Sequence, residues 1–373
     1  MKLVVVSHPC VTPANQEFWA RVHRQLGGQL TIVAPASWRN EYGTQALRRW
    51  PAFEGDLRPL PVLLAGNIPL HVYRARVGAL LREQSPDVVF VHHEPYGPAT
   101  FQFVAAARRL GLPVGIYSSQ NIVKRYPPPF SWMERAVHRR ASFAATISPA
   151  VADSLRAKGY RGPIAVMPPG IDTSSFPELP TRRGEGRPFT VGYVGRLADE
   201  KGVDTLVDAL LRPATAGIRA LIAGDGSAAD DLRARAATPD LNGRVSWVGY
   251  VSHDRVADVY GQLDLVVVPS RTTEAWTEQF GRVVAEALAC GVPVLTSDSG
   301  ELPKLVADTG GGWTFPEGDA DALAARLAAL AAEPGERRAR ADRGRARVRE
   351  LYDVDVVAQR LADVVRTAAD RRR

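Results

Sequence analysis

Glu278 and Glu286 are the two residues whose type and spacing most directly suggest chemistry. They lie in the segment PSRTTEAWTEQFGRVVAEALACGVPVLTSDSGELPKLV (269–306), which leaves an apolar run, crosses a polar loop and enters a predicted helix at about Gly281. The free N–H groups and positive dipole at that helix start favour an anion. A carboxylate before the helix can hold sugar hydroxyls, and one inside it can accept both hydroxyls of a ribose. In the alternative interpretation, Glu278 caps the helix and Glu286 is solvated.

A second chemical segment is VGYVGRLADEKGVDTLVDAL (191–210), which contains Gly195, Arg196 and Lys201 between a predicted strand and a predicted helix. Glycine lets the backbone approach a phosphate, and the two cations can neutralise a diphosphate that gains negative charge as it leaves. Taken alone, this segment is better explained by two surface cations beside a helix start.

In the N-terminal half, His92, His93 and Glu94 follow an apolar run, where side chains of a parallel sheet reach a ligand. A neutral histidine or the carboxylate could orient an acceptor hydroxyl. Adjacent strand residues point to opposite sides, so we expect at least one of the two histidines to be structural. His8 follows the first apolar run and occupies a similar position.

The elements that must position these residues are short apolar strands alternating with amphipathic helices, which indicates parallel, doubly wound sheets. A Pro/Gly/Arg stretch, PELPTRRGEGRP (177–188), separates two such series. The predicted fold class is α/β, with two Rossmann-like domains facing across a cleft. The predicted strands are LVVVS (3–7), LTIVAP (30–35), DVVFVH (87–92), PVGIYSS (113–119), FAATIS (143–148), IAVMPP (164–169), FTVGYVG (189–195), RALIAGDG (219–226), VSWVGY (245–250), LDLVVVPS (263–270) and PVLTSD (293–298).

The predicted domains are an acceptor-binding domain over 1–177, a linker over 178–188 and a nucleotide-sugar domain over 189–350. A C-terminal helix over 351–373 is expected to pack back on the first domain. The seven arginines between Arg337 and Arg349 predict a surface helix, because acidic residues interleave with them and no aromatic residue does.

Composition excludes several classes of protein. The 373 residues are 45% hydrophobic and 23% charged, as in ordinary globular chains. Cys10 and Cys290 lie far apart without a neighbouring Cys/His cluster, which argues against a zinc site or a disulfide framework. No apolar run is long enough for a signal peptide or a membrane span, so we expect a cytoplasmic protein.

Charge is distributed unevenly along the chain. Residues 1–180 hold 20 Lys/Arg against 11 Asp/Glu, whereas residues 181–335 hold 15 against 22. The uncharged stretch PLPVLLAGNIPLHVY (59–73) could rest on an anionic membrane surface, at the inner membrane face. We expect instead that VLL (62–64) forms an ordinary buried strand followed by a loop.

The chain closely resembles the retaining glycosyltransferases of family 4, which have the GT-B fold. The resemblance rests on the Glu-x7-Glu element within EQFGRVVAEALACGVPV, on VGRLADEKGVDTLVDAL, on IAGDG, which contains Gly224, and on PPGID (168–172). It implies that Arg196 and Lys201 hold the diphosphate of a nucleotide sugar, that Glu286 binds the ribose and that Glu278 contacts the donor sugar. The backbone of Gln279, Phe280 and Gly281 would cradle the sugar hydroxyls, and no metal or other cofactor is implied.

This chain departs from the family pattern at two places. Relatives commonly have Glu-Gly-Phe-Gly where this chain has Gln279 as the second residue, and a bulkier side chain there could alter sugar preference. Many carry a His-Asp pair where this chain has SSQNIVKRYPPPF (118–130). A subset of the family resembles it at EPYGPAT (94–100) and QNIVKRYPPPF (120–130). Gln120 and Asn121 are therefore candidates to face the sugar, with polar caps of a strand end as the equal alternative.

The resemblance implies transfer of a hexose-type sugar from a UDP- or GDP-linked donor to an acceptor hydroxyl with retention. The leaving diphosphate can itself take the acceptor proton, so no protein base is required. Candidate acceptors are a glycan, a lipid-linked molecule and a small molecule. One alternative is a nucleotide-sugar 2-epimerase of the same fold. The other is a protein that binds an anionic surface or nucleic acid, although no nucleic-acid-binding module is present.

Overall fold

The computed structural model describes residues 1–40, 43–177 and 187–371. It divides the chain into two compact units. The first unit contains Met1–Gly170 and Val354–Arg373, and the second contains Ile171–Asp353. The predicted linker over 178–188 lies outside the described residues, except for Arg187 and Pro188.

A seven-stranded parallel sheet forms the centre of the first unit, in the order β11-β10-β9-β8-β1-β2-β5. Two antiparallel pairs, β3-β4 and β6-β7, lie outside it. The strands are β1 (Lys2–Val6), β2 (Gln29–Pro35), β3 (Ser37–Asn40), β4 (Gly43–Ala46), β5 (Asp56–Leu60), β6 (Val62–Leu63), β7 (Val72–Tyr73), β8 (Val88–Val91), β9 (Val114–Ser118), β10 (Phe143–Thr146) and β11 (Ile164–Val166). The helices are α1 (Glu17–Leu26), α2 (Val77–Gln84), α3 (Pro98–Arg109), α4 (Phe130–Arg140) and α5 (Pro149–Ala157).

Strand order in this sheet reverses between β1 and β8, because the chain adds strands on one side of β1 and then returns to add the rest on the other side. Apart from the exposed Lys2, both strands consist of buried valines and other apolar residues, which suits a sheet covered on both faces. Ligands of such sheets bind at the carboxyl ends of the strands, at the point of reversal. The loops after β1 and β8 therefore define the expected ligand edge of the first unit.

The second unit contains a six-stranded parallel sheet in the order β14-β13-β12-β15-β16-β17, which reverses between β12 and β15. A core that includes Leu206, Ile222 and Leu327 fills one side of the sheet. The strands are β12 (Thr190–Val194), β13 (Arg219–Ala223), β14 (Val245–Gly249), β15 (Leu265–Val268), β16 (Val294–Ser297) and β17 (Gly312–Phe315). The helices are α6 (Val203–Leu210), α7 (Ala229–Ala236), α8 (Val256–Tyr260), α9 (Arg282–Ala289), α10 (Leu302–Thr309), α11 (Ala320–Ala332) and α12 (Pro334–Leu351).

The last helix, α13 (Val354–Asp370), belongs to the first unit. Its apolar face, which includes Leu361 and Val365, packs in the same core as Trp19 of α1. An ion pair of 3.0 Å between Arg21 and Asp355 links the same two helices. The terminal helix is thus part of the first unit's core.

The parallel, doubly wound sheets predicted from the sequence are confirmed in both units, and all eleven predicted runs contain a strand. The arginine-rich run is helical, as α12, but Arg337 is buried rather than exposed. Its guanidinium lies 4.5 Å from the centre of the Phe189 ring and donates to the carbonyl oxygens of Leu330 and Ala331. That arginine therefore holds the end of α11.

The expectation of a buried strand at 62–64 is wrong. Val62 and Leu63 pair with β7 in a two-stranded hairpin rather than entering the sheet. Leu63 is 51% exposed and Leu64 is 59% exposed, whereas Val62 and Tyr73 of the same hairpin pack in the core of the first unit. Among the helices of the described residues, none combines the length and apolarity needed to cross a bilayer.

Candidate active site

The chemical segments of the second unit lie at the point where its strand order reverses. Gly195, Arg196 and Lys201 follow β12, and the loop from Pro269 to Gly281 follows the neighbouring strand β15. Because parallel strands end at the same edge, this topology brings together two segments that are far apart in sequence.

Lys201 and Glu278 are in direct contact at this edge. The Lys201 Nζ lies 2.9 Å from Oε2 of Glu278, and the hydroxyl of Ser270 donates to the same oxygen at 3.0 Å. The ammonium also lies 4.3 Å from the centre of the Trp276 ring. Glu278 is buried, so its carboxylate is held by a cation and a hydroxyl away from bulk water. A cation and a carboxylate thus occupy one place at the sheet edge.

Close backbone approach explains two glycines of this edge. A Cβ on Gly224 would lie 1.8 Å from the carbonyl oxygen of Gly195, and one on Gly202 would lie 2.0 Å from that of Pro269. The loop that carries Lys201 therefore packs directly on the start of the loop that carries Glu278. Only a residue without a side chain permits that packing.

Helix α9 begins directly after Gly281, as the sequence predicted. Gly281 has a φ of +80°, which turns the chain from the loop into the helix. Phe280 is buried, with its ring 5.4 Å from that of Tyr352, and Gln279 is half-buried. The backbone at 279–281 thus precedes the first free N–H groups of the helix.

Glu286 is buried inside α9, so the alternative of a solvated side chain is wrong. Tyr260 donates to its Oε2 at 3.0 Å, and Nε of Arg282 donates to its Oε1 at 2.8 Å. Burial raises the pKa of Tyr260 well above its usual value, with the nearby Glu286 charge adding to the effect. The phenol therefore remains a donor, and the carboxylate is fixed in orientation. The alternative of a helix-capping Glu278 is also wrong, because that side chain contacts Lys201 and Ser270.

Arg196 is not part of this cluster. Its side chain is 65% exposed and pairs with Glu200 at 2.5 Å. The carbonyl of Arg196 accepts from the Tyr193 hydroxyl at 2.7 Å, which fixes the backbone and leaves the guanidinium at the surface. The structure therefore places Lys201, but not Arg196, against Glu278.

In the first unit, His92 and His93 occupy different surroundings. His92 lies against Tyr117, with ring centres 4.5 Å apart, and its Nδ1 is 3.1 Å from the hydroxyl of Ser7. Burial lowers the pKa of His92 to about 4. His93 points to the other side, where it meets His8.

Three histidines, His8, His71 and His93, lie together, and we call them the histidine cluster. The Nδ1 atoms of His8 and His93 are 2.8 Å apart, and the His71 and His93 ring centres are 5.0 Å apart. Burial lowers the pKa of His8 to about 3, helped by the neighbouring His71 and His92, and lowers the pKa of His93 and His71 as well. These imidazoles are therefore neutral at pH 7.

Glu94 is held by the loop after β9. The hydroxyls of Ser118 and Ser119 donate to its carboxylate at 2.7 and 2.8 Å, and the Ser119 backbone N–H donates at 2.7 Å. Burial raises its pKa, and these three donors oppose the rise. Glu94 thus positions the segment that leads to Gln120 and Asn121. Both of those residues are half-buried, and the Asn121 carbonyl accepts from Ser154 at 3.0 Å.

Several residues that contact the predicted ones were not predicted from the sequence, among them Ser270, Trp276, Tyr260 and His71. Ser270 is the last residue of the predicted strand LDLVVVPS (263–270), so its position could have identified it. Tyr260 and His71 carry no local signal, because their contacts come from distant parts of the chain.

Solved structures of similar fold cover almost the whole chain. Anabaena Alr3699/HepE, solved in complex with UDP, aligns with a TM-score of 0.75 and 19% identity over 98% of this chain and 100% of that chain. Sucrose-phosphate synthase from Thermosynechococcus elongatus aligns with a TM-score of 0.73 and 19% identity over 98% of each chain. The fold is therefore that of the GT-B glycosyltransferases.

The sequence comparisons define the family. The model for glycosyltransferase family 4 matches residues 19–175, and the model for glycosyl transferases group 1 matches residues 177–347. A GDP-mannose-dependent alpha-mannosyltransferase of Mycobacterium tuberculosis is 32% identical over 273 residues, which are 68% of this chain and 66% of that protein. The chain belongs to the group 1, family 4 glycosyltransferases.

A second relative aligns over a shorter part of its length. The GDP-mannose-dependent alpha-(1-6)-phosphatidylinositol monomannoside mannosyltransferase of M. tuberculosis is 30% identical over 240 residues, 61% of this chain. The alignment spans 60% of that relative's own length.

Proposed function

We propose that the protein is a retaining glycosyltransferase that moves a hexose-type sugar from a UDP- or GDP-linked donor to an acceptor hydroxyl. The contact of Lys201 with Glu278, at the strand reversal of the second unit, carries the proposal. It unites the two segments whose residue types suit a diphosphate and a sugar. Family membership supports the same chemistry.

The donor would be held at three points of the second unit. Its diphosphate would lie at Lys201, at Arg196 and beside the backbone of Gly195 and Gly224. Its ribose would bind Glu286, whose carboxylate has about four acceptor positions. Tyr260 and Arg282 occupy two of them, which leaves the others for hydroxyl donors.

Glu278 would contact the donor sugar, together with the backbone of Gln279, Phe280 and Gly281. With donor bound, Lys201 would be shared between the carboxylate of Glu278 and the diphosphate. Its charge would be available where negative charge develops during the reaction. Glu278 and Lys201 thus have both a binding and a rate-enhancing role.

In the proposed reaction, the bond between the anomeric carbon and the diphosphate oxygen breaks. The acceptor oxygen bonds to the anomeric carbon on the same face, and its proton passes to the leaving diphosphate. The donor is a nucleoside diphosphate sugar: two of the relatives are GDP-mannose-dependent by name, and HepE is solved with UDP. No metal is required for this step, because Lys201 and Arg196 supply the positive charge.

The acceptor would bind to the first unit, at the loops that follow β8 and β9. These loops contain His92, His93, Glu94, Gln120 and Asn121. The exposed hairpin of the first unit favours an acceptor that is lipid-linked. Leu63, Leu64, Ile68 and Leu70 are all exposed, and Arg74 follows the hairpin as an exposed cation. One of the relatives acts on a phosphatidylinositol mannoside by name.

The test begins with the donor. A panel of UDP- and GDP-sugars is screened by thermal shift, since a ligand at 100 times its Kd stabilises the folded state by about 2.7 kcal/mol. The stabilising sugar is then incubated with lipid-phosphate and alkyl-glycoside acceptors. Proton NMR of the product reports the anomeric configuration. We expect an α-linked donor to give an α-linked product. An inverted product would contradict the retaining mechanism.

The same experiment without acceptor separates transfer from 2-epimerisation. An epimerase would consume the nucleotide sugar and release the 2-epimer with water as the only co-substrate. A glycosyltransferase would leave most of the donor intact until an acceptor is added. Donor loss to the 2-epimer would favour the epimerase.

A further inference from the structure

The histidine cluster is the one group of three or more metal-ligating side chains found among the described residues. One ring nitrogen of each histidine lies within 4.8 Å of the other two. His8 follows β1 and His93 follows β8, so both stand at the strand reversal of the first unit. His71 enters from the hairpin, directly before β7. Three separate segments thus converge on one point.

His71 has a buried nitrogen that lacks a hydrogen-bond partner. Its Nδ1 lies 2.9 Å from the carbonyl oxygen of Ile68, and a carbonyl only accepts, so Nδ1 carries the hydrogen. In the neutral ring, Nε2 then carries a lone pair. That atom is buried without a partner in the described structure, and His71 is 2% exposed. A buried lone pair without a donor requires an explanation.

His93 is held in a similar way. Its Nε2 lies 3.4 Å from the hydroxyl of the buried Tyr73, and its Nδ1 lies 2.8 Å from Nδ1 of His8. Metal-binding histidines generally fix their second ring nitrogen with a carbonyl, a carboxylate or another oxygen partner. The Ile68 carbonyl and the Tyr73 hydroxyl occupy those places here.

We propose that His8, His71 and His93 bind a divalent transition metal ion of the Zn²⁺ type. Zn²⁺ binds imidazole nitrogen at about 2.0–2.1 Å, so a tetrahedral site separates neighbouring nitrogens by about 3.3 Å. The present separations range from 2.8 Å to no more than 4.8 Å, and small ring rotations would reach that value. Imidazole is a preferred ligand of this class of ions.

Metal binding requires a change of tautomer at one ring. The Nδ1 atoms of His8 and His93 share one hydrogen in their present contact. To bind the ion through both Nδ1 atoms, the ring that carries this hydrogen must lose it from Nδ1 to solvent. The same ring then takes up a proton at its Nε2. No net proton is released, because each ring stays neutral.

Three protein ligands leave one position of a tetrahedral ion open, as in zinc sites that bind an exchangeable fourth ligand. His8 is the partly exposed member of the cluster, so the open position would face solvent on its side. Trp38 covers the cluster elsewhere, with its ring centre 4.9 Å from that of His8 and 5.0 Å from that of His71. With the ion bound, His93 would be a metal ligand and not an acceptor contact; in every other respect the proposal is independent of the proposed transfer reaction. The cysteines and the family resemblance had suggested a protein without a metal, whereas this site is formed by histidines alone.

The test uses the untagged full chain, treated with a chelator and then dialysed. Calorimetry with Zn²⁺ is expected to give one tight site per chain, and Co²⁺ is expected to give the visible absorption of a tetrahedral complex. His8→Ala removes a partly exposed ligand and should weaken Zn²⁺ binding at least tenfold. Tyr73→Phe should weaken it about tenfold, because it removes only the outer partner.

His23→Gln is the matched control. His23 lies on α1, where its Nε2 contacts the Gly28 carbonyl at 2.9 Å, outside the cluster. The His23→Gln variant should bind Zn²⁺ like the wild type. His71→Gln should also lose Zn²⁺ binding, and circular dichroism checks that this variant folds. If it does not fold, His8→Ala still decides the test. Less than half an equivalent of bound Zn²⁺ in the wild type, or unchanged binding in His8→Ala, would overturn the proposal.

Discussion

At the residue scale, Glu278 and Glu286 are both buried but have different partners. Glu278 contacts Lys201 and Ser270 at the sheet edge, whereas Glu286 lies inside α9 against Tyr260 and Arg282. We expect Glu286→Ala to weaken nucleoside diphosphate binding by about tenfold or more, because a bidentate partner of the ribose is lost. Glu278→Ala should reduce transfer more than it reduces binding of the bare nucleotide. Calorimetry with UDP and GDP measures the first effect, and product formation measures the second.

Glu274→Ala is the control for both variants, since Glu274 is exposed in the same loop. It should change neither binding nor transfer. Equal losses of nucleotide affinity in Glu278→Ala and Glu286→Ala would count against the separate roles.

Lys201 and Arg196 are expected to act mainly on the rate. Charge on the diphosphate grows as the glycosidic bond breaks, so removing one such stabilising cation should lower kcat by about 10²-fold or more. Lys201→Ala also removes a cation that contacts the buried Glu278 carboxylate at 2.9 Å, so the Tm of this variant should fall. Steady-state kinetics with a donor identified by thermal shift tests both variants.

Lys304→Ala provides the comparison. Lys304 is a half-exposed lysine of α10 that pairs with Asp308 at 2.9 Å. Its removal should leave kcat unchanged. Near-wild-type turnover in both Arg196→Ala and Lys201→Ala would mean that the diphosphate binds elsewhere.

Some of the candidate site residues could be predicted from the sequence, and others could not. Glu278 and Glu286 were singled out from their positions around a helix start, and both are buried in the structure. The contact of Lys201 with Glu278 follows from two strands ending at one edge. His71 could not be predicted, because it reaches the other histidines only through a hairpin that the sequence did not indicate.

At the scale of elements, Gly202 connects the loop of Lys201 to the start of α6. It has a φ of +64°, and a Cβ there would lie 2.0 Å from the Pro269 carbonyl oxygen. Gly202→Ala should therefore lower the free energy of unfolding by about 1–3 kcal/mol and displace Lys201 from Glu278. Urea unfolding measures the first effect, and kcat reports the second.

Gly217→Ala is the matched substitution, since a Cβ at Gly217 meets no atom within 4 Å and its φ is not positive. It should be neutral or slightly stabilising, by up to about 1 kcal/mol. If both variants had the same stability as the wild type, the close approach of these two loops would be wrong.

Most strands were predictable because they are buried on both faces and read as apolar runs. β5 (Asp56–Leu60) was missed, because it is an edge strand whose exposed residues include Arg58 and Pro59. β17 (Gly312–Phe315) was missed as well, since it begins with glycine and contains the exposed Thr314. Edge strands depend on one neighbour, so their sequences are less constrained than those of central strands.

At the scale of the whole molecule, the two units differ more in net charge than the two halves of the chain do. The first unit, with α13, holds 25 Lys/Arg against 12 Asp/Glu, a net charge of +13, whereas the second holds 22 against 28, a net charge of −6. Residues 354–373 contribute five arginines and three aspartates to this total. The unit that would bind the acceptor is therefore the one that attracts an anionic surface.

Exposed apolar side chains occur in the same basic unit. Of nine large hydrophobic residues that are exposed in the described chain, four lie within residues 63–70. They are Leu63, Leu64, Ile68 and Leu70, at the hairpin of β6 and β7. The exposed Arg39 also lies beside this hairpin, since a Cβ on Gly66 would contact its carbonyl oxygen at 2.7 Å. Apolar side chains next to cations are typical of a segment that binds an anionic membrane.

We therefore expect the protein to cosediment with phosphatidylglycerol vesicles at low salt, and much less with phosphatidylcholine vesicles or at high salt. The double variant Leu64→Ser/Ile68→Ser should reduce the partition coefficient about tenfold or more, because each apolar side chain contributes on the order of 1 kcal/mol when inserted. Val248→Ser removes a similarly exposed residue of the second unit and should leave binding unchanged. Absence of binding at low salt would exclude the membrane contact and leave a water-soluble anionic acceptor. Equal binding by the double variant and the wild type would show that charge alone, and not the hairpin, attracts the protein to the surface.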